Sequence, residues 1–356
     1  MQEMSLAAIA VPVALAVLKV ALVAGLGYLL TRRGVLHQAV LAGLSNLVIQ
    51  VTAPCLNFAN ALNGSASASV PASLLLVMSA PVVLCLGYVG GAGLARLLGV
   101  TERSRRSVVA AATFQNASYL PLAVAAAVLP PLAGLFPVGG SSPAGIGGAA
   151  VVNISLFSVL YLPLFWGLGL WWLQGETDDG PRRLSWRVLL PPPVVGVLAG
   201  YGAALTPLRL LLTPPHAPLH SALLAVLDVG QLTIPLANLV LGGMLALALG
   251  GRHLRTRDVV AATMAKLALA PGVMLALLAI TRRHWAHEPS LALAAFVVFL
   301  ECATPPATNL AVMSRSKGLA GGTSEIIPGL LLVAYPLSLL TLPLWLTAFF
   351  RLLSLP

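Results

Sequence analysis

Long apolar runs joined by short polar links make up almost the whole of this chain. Ten of them, at 5–31, 39–62, 72–98, 107–130, 148–173, 188–205, 221–250, 259–281, 291–314 and 325–350, are long enough to cross a hydrocarbon core of about 30 Å at about 1.5 Å per residue. The pattern predicts an all-α polytopic membrane protein. Two runs are interrupted by residues that a lipid-facing helix excludes. In 291–314 the interruption runs from Glu301 through Thr304, Pro305, Pro306 and Thr308 to Asn309. An interior proline costs a helix about 3 kcal/mol, and a carboxylate at bilayer depth roughly 2.5–3.5 kcal/mol. In 107–130 it runs from Gln115 and Asn116 through Ser118 and Tyr119 to Pro121. Both segments predict helices broken near their centres and lined there by amide and hydroxyl groups.

The basic residues orient the runs. With the N-terminus outside, the arginines of the links near 32–33, 96–106, 182–187 and 252–257, with Arg315 and Lys317, fall on the cytoplasmic side. Only Arg209, Arg282, Arg283 and Arg351 fall outside, as the positive-inside rule favours. Both termini are then non-cytoplasmic, and the sixth run opposes the first. An odd number of spans per half is what an inverted repeat requires. The second run contains Gln50, Thr52, Pro54 and Asn57, and the seventh contains Gln231, Thr233, Pro235 and Asn238; both read Q-x-T-x-P-x-x-N, close to half the chain apart. The expected organisation is a first five-helix repeat over 1–173, a short cytoplasmic linker over 174–187 and a second, inverted repeat over 188–356. The broken fourth and ninth helices, antiparallel to each other, would then cross at the midplane. Helix ends and freed backbone groups would converge there, amino ends attracting anions and carbonyls attracting cations.

Composition removes several other classes. Of the 356 residues 58% are hydrophobic and 8% charged, far from the roughly 25% charged content of soluble domains. The net charge of +10 lies in the links between runs, so it is a topology signal and not a nucleic-acid footprint. Cys55, Cys85 and Cys302 lie in separate apolar runs and form no metal or disulfide motif. Neither an H-E-x-x-H, nor a G-x-S-x-G, nor a pair of intramembrane aspartates is present, so the expectation is no enzyme, no cofactor and no metal.

Four stretches carry a resemblance: 114–122 in the fourth run, 191–200 opening the sixth, 233–245 in the seventh and 305–312 in the ninth. Together they resemble the auxin efflux carrier family, PIN and PIN-like carriers with their bacterial homologues, within the bile-acid, arsenite and riboflavin-type transporter superfamily. The resemblance implies ten transmembrane helices as two inverted five-helix repeats. Spans 1, 2, 6 and 7 would form a scaffold, and spans 3–5 and 8–10 a transport domain containing the crossing. It further implies secondary transport of a small organic anion, an auxin-like monocarboxylate or a dicarboxylate, by elevator-type alternating access. Asn116, Pro121, Pro305, Pro306 and Asn309 match the family's crossover. The short central loop departs from the long-looped plant carriers, which leaves the substrate open.

From their positions, Asn116, Ser118, Tyr119, Pro121, Thr304, Pro305, Pro306, Thr308 and Asn309 are expected at the substrate. Backbone capping is the competing role for the polar ones. Glu301 and Lys266 are expected as a charge pair or as a sensor of a proton or a sodium ion. Gln50, Thr52, Pro54, Asn57, Gln231, Thr233, Pro235 and Asn238 are expected on the scaffold side of the cavity. Two alternatives stand beside this reading: a sodium-coupled carrier like the bile-acid symporters, and a non-transporting receptor or scaffold. The expected partners are the organic anion and the lipid bilayer of a plasma (inner) membrane, with a homodimer left open.

Overall fold

The computed structural model describes residues 6–64, 69–117, 119–130, 132, 136, 143–174, 190, 192–248, 255–314 and 323–354. Every named element among them is helical. Six helices are long and apolar enough to cross a membrane: Gln38–Leu62, Val70–Leu97, Val152–Leu173, His220–Leu247, Thr256–Ile280 and Ile326–Leu353. Three shorter apolar helices, Ala21–Arg32, Pro192–Ala204 and Pro289–Ala303, accompany them. Pro192–Ala204 has 13 residues, or about 20 Å at about 1.5 Å per residue, which falls short of the core on its own. The expected linker 174–187 lies outside the described residues from 175 onward.

The helices that carry the site are labelled here in chain order. They are α1 (Leu6–Arg32), α2 (Gln38–Leu47), α3 (Ala53–Gly64), α4 (Val70–Leu97), α5 (Glu102–Thr113), α6 (Tyr119–Val128), α7 (Pro143–Pro163), α8 (Pro192–Ala204), α9 (His220–Gln231), α10 (Thr233–Ala248), α11 (Thr256–Met264), α12 (Ala270–Ile280), α13 (Pro289–Ala303), α14 (Asn309–Met313) and α15 (Thr323–Leu353).

The breaks fall where the polar interruptions predict, with one shift. The fourth run ends its first helix at Thr113 and resumes at Tyr119, so Pro121 is not the break itself. It occupies the first turn of α6, where the missing N–H has no intrahelical partner to lose. Each Q-x-T-x-P-x-x-N segment is also a local irregularity. Val48–Thr52 forms one wide π turn between α2 and α3, and Leu232 interrupts the run between α9 and α10. A further wide turn, Ala265–Leu269, lies between α11 and α12 and carries Lys266.

Close backbone approach organises the packing. α1 lies against α10, and α8 lies against α3. A Cβ on Gly242 would come within 1.7 Å of the Ala24 carbonyl oxygen, and one on Gly27 within 2.1 Å of that of Leu239. Small residues at such crossings let helices gain dispersion contacts where lipid supplies no hydrophobic drive. A separate group of contacts joins α4 to α5, α7 and α13, and α5 to α11. Gly87 of α4 admits the end of α5, since a Cβ there would meet the Ala112 carbonyl oxygen at 2.5 Å. This contact fixes α5 two residues before the chain turns away at Phe114.

Candidate functional site

Where α5 and α13 end, their chains continue as short extended segments that meet. Gln115 and Pro306 form an antiparallel bridge. The Asn116 N–H donates to the Pro305 carbonyl at 2.8 Å, and the Ala307 N–H to the Phe114 carbonyl at 2.9 Å. Proline suits position 306 because its own N–H is not needed: the ladder bonds are made by the Pro305 carbonyl and the Ala307 N–H on either side of it. The two breaks therefore satisfy each other's backbone, which a single broken helix in lipid cannot do.

Side chains from two further helices complete the junction. The Tyr161 hydroxyl on α7 donates to the Gln115 carbonyl at 2.6 Å. Its ring is stacked between Phe157, at 5.5 Å, and Phe165, at 5.7 Å between centroids. The Asn116 amide donates through Nδ2 to the Tyr335 hydroxyl of α15 at 2.8 Å, while its Oδ1 accepts the Leu120 N–H at 3.4 Å, capping α6. The amide is thus oriented by its neighbours, and the first turn of α6 presents the positive end of a helix dipole to the same region. Thr304 turns its hydroxyl back onto the Glu301 carbonyl at 2.9 Å, the capping contact expected beside a ligand role.

A cavity of about 30 Å³ lies beside the bridge, lined by Gln115, Asn116, Thr308, Asn309, Tyr161 and Asn57 among others. Volume at that scale accommodates about one water molecule, far less than an organic anion needs. Gln115 is the notable member. It is fully buried, and neither Oε1 nor Nε2 has a hydrogen-bond partner; the Thr308 hydroxyl is likewise buried and unpartnered. Buried polar groups left unpaired cost about 1–3 kcal/mol each, so both keep hydrogen-bonding capacity to spare at the cavity.

The structure brings together Asn116, Thr308 and Asn309 at this cavity, with Pro305 and Pro306 in the bridge behind them. Pro121 is buried in α6 without lining the cavity. Ser118 and the side chain of Tyr119 lie outside the described residues. On the opposite wall only Asn57 of the expected group lines the cavity, with Ala53 and Pro193; its Nδ2 donates to the Pro193 carbonyl at 3.2 Å. Gln50, Gln231 and Pro235 are exposed, Thr52 and Asn238 are buried away from the cavity, Pro54 is partly buried, and the Thr233 hydroxyl is bonded to the Gly230 carbonyl at 2.6 Å. Those residues lie off this cavity. Tyr161, Tyr335 and Gln115 were missing from the sequence expectation. Tyr161 and Tyr335 carry no local signal, because each is one aromatic residue within an apolar run; Gln115 stood inside the quoted polar segment.

Glu301 and Lys266 are buried and within electrostatic reach of each other. The expected ion pair is not closed. Among the described residues the salt bridge within 4.0 Å is that of Arg105 with Glu102, at 2.7 Å. The Lys266 ammonium donates instead to the Cys302 carbonyl at 3.2 Å, and neither oxygen of Glu301 has a partner. No group of three or more metal-ligating side chains occurs among the described residues.

Helices long enough to span and a buried polar crossing within them define an integral, multi-pass membrane protein. Residues 12–178 match the model of a family described as membrane transport protein, a family of transporters and not of enzymes. Protein PIN-LIKES 7 of Arabidopsis thaliana is 29% identical over 167 residues, 47% of this chain and 41% of that protein. Protein PIN-LIKES 3 of the same plant is 27% identical over 169 residues, 47% of this chain and 42% of that protein. The chain thus spans less than half the length of these curated relatives. The matches support the auxin efflux carrier family, PIN-like carriers included, and bear out the resemblance drawn from the motifs. Of the four motif stretches, the matched region includes 114–122, which supplies Gln115 and Asn116.

Proposed function

We propose that the chain is a secondary transporter of a small organic anion whose carboxylate binds at the crossing of the fourth and ninth spans. In this reading the fold is the ten-span inverted repeat, with spans 1, 2, 6 and 7 as scaffold and the remaining spans as the moving part. The protein lies in a plasma (inner) membrane with both termini outside. The observation that carries the proposal is the antiparallel bridge at Gln115 and Pro306, with the unpartnered Gln115 amide and Thr308 hydroxyl beside it. Amide N–H, hydroxyl and helix amino-end groups are donors, and a carboxylate accepts several of them at once.

Cavity size supports a mechanism that moves. Space for about one water at the crossing means that an anion enters only when the two walls separate. The walls come from different helix groups: Asn57 and Pro193 from the scaffold, Gln115, Asn116, Thr308 and Asn309 from the other. Sliding one group past the other opens this cavity while the bridge within the moving group stays intact. Alternating access of that kind presents the same polar groups to each side of the membrane in turn.

The test is binding and uptake by the purified protein against auxin-like monocarboxylates and dicarboxylates. A bound anion raises the apparent melting temperature by mass action, and the same anion is taken up into proteoliposomes. Asn116→Ala and Asn309→Ala should each abolish uptake at normal protein yield. Full uptake by both variants would remove the crossing as the substrate site, and a panel without any stabilising carboxylate would remove the substrate class.

A further inference from the structure

Next to the crossing, on α13, lies a second polar centre that substrate binding leaves unused. Glu301 is fully buried with both carboxyl oxygens unpartnered. Lys266, also buried, reaches it from the wide turn between α11 and α12 and rests on the carbonyl of Cys302, the next residue in the chain, at 3.2 Å. Two states of such a carboxyl tolerate burial: the uncharged acid, and a carboxylate paired with a cation. Lys266 is a cation fixed within reach. Its ammonium already donates to the carbonyl of the residue next to Glu301.

We infer that Glu301 and Lys266 form a proton site with a built-in counter-cation, so that the transporter couples to protons and not to sodium. In one state a proton taken from water sits on the Glu301 carboxyl, and Lys266 bonds to the Cys302 carbonyl as observed. In the other the proton has left to the water on the opposite side, and the Lys266 ammonium closes onto the carboxylate. The wide turn favours this, because a five-residue backbone loop inside a helix is where the ladder is already loosened. A sodium ion at the same carboxylate would share a buried site with the ammonium, and like charges there repel one another.

Among the described residues, the surroundings of Glu301 leave Lys266 as its partner. Of the helices packed on α13, α7 brings Tyr161, which is within electrostatic reach and bonded to the Gln115 carbonyl. α15 brings Tyr335, bonded to Asn116, and the exposed Arg351, while α4 carries Cys85, Tyr88 and Arg96, all exposed; Tyr119 of α6 and Glu325 of α15 have side chains outside the described residues. α12 has no titratable side chain, and Cys302 is the chain neighbour.

The role in coupling rests on the transport reading, but the site itself is tested without any substrate. Infrared difference spectra of the purified full-length protein, recorded during acid titration, should show a buried carboxylic-acid carbonyl band. Glu301→Gln should lose that band, the exposed Glu288→Gln should keep it, and exchange of sodium for choline should leave it unchanged. Persistence of the band in Glu301→Gln, or its displacement by sodium in the native protein, would overturn the inference. Lys266→Met removes the built-in cation and should make the band sodium-sensitive; insensitivity there also counts against it. Should Lys266→Met fail to fold, Glu301→Gln and the native cation exchange decide alone. If carboxylate uptake is absent while the band behaves as stated, the transport reading fails and the proton site stands.

Discussion

Gln115 and Asn116 are adjacent, equally buried, and opposite in how their amides are provided for. Asn116 is held by the Tyr335 hydroxyl and by the α6 backbone, whereas the Gln115 amide meets no partner. Stability and function should therefore separate at these two positions. Gln115→Leu keeps the volume and removes an unpaired amide, so it should be neutral or stabilising by about 1 kcal/mol while abolishing anion binding. Tyr335→Phe should do the reverse in kind. It removes one hydrogen bond at a cost of roughly 0.5–1.5 kcal/mol and weakens binding only through a less well oriented Asn116. Denaturant titration in detergent, run beside ligand-induced thermal shift, measures both quantities. A Gln115→Leu protein that loses stability and keeps binding would make Gln115 a structural residue.

Among the elements, the crossing depends on where helices stop, and the sites depend on how closely they approach. Much of the first was legible in the sequence. Pro305 and Pro306 announce a break, and Gln115 and Asn116 announce polar backbone partners at equivalent depth. Such residues are expensive in lipid unless they are used, so each carries information locally. The position of Pro121 in the first turn of α6, instead of at the break, was not legible, because proline tolerates both places. The supporting tyrosines were also hidden, since their roles come from helices far away in sequence: Tyr335 lies 219 positions from Asn116. Close approach was partly visible as glycine, yet glycine runs look alike whether they pack or not. The structure separates them. Gly242→Ala would drive a Cβ into the Ala24 carbonyl at 1.7 Å, while a Cβ on Gly25 would have no atom within 4 Å. Gly242→Ala should therefore cost about 3 kcal/mol, near the top of the range for overpacking, or prevent stable expression. Gly25→Ala should be close to neutral, as read by the unfolding midpoint of each protein in detergent.

Taken as a whole molecule, the protein contains an apolar crevice of about 270 Å³ between α1, α10 and α15, bordered by Gly25, Tyr28, Leu245, Leu331, Tyr335 and Leu339. Its walls belong to both helix groups of the proposed mechanism: α1 and α10 to the scaffold, α15 to the moving part. Tyr335 ties the crevice to the crossing, because the hydroxyl that accepts the Asn116 amide belongs to a residue bordering this space. Motion of one group past the other must change the shape of the crevice, whereas a molecule with static helices would leave it as it is. Gly25→Trp places a large side chain there from a position where a Cβ meets nothing. The expected outcome is native-like thermal stability together with uptake slowed at least tenfold. Anion binding should be retained, since the polar groups at the crossing are untouched. Proteoliposome uptake and ligand thermal shift on the same preparation read both effects. Unchanged uptake in a Gly25→Trp protein of normal stability would mean that the crevice keeps its shape through the cycle, and the elevator-type division of the helices would have to be abandoned.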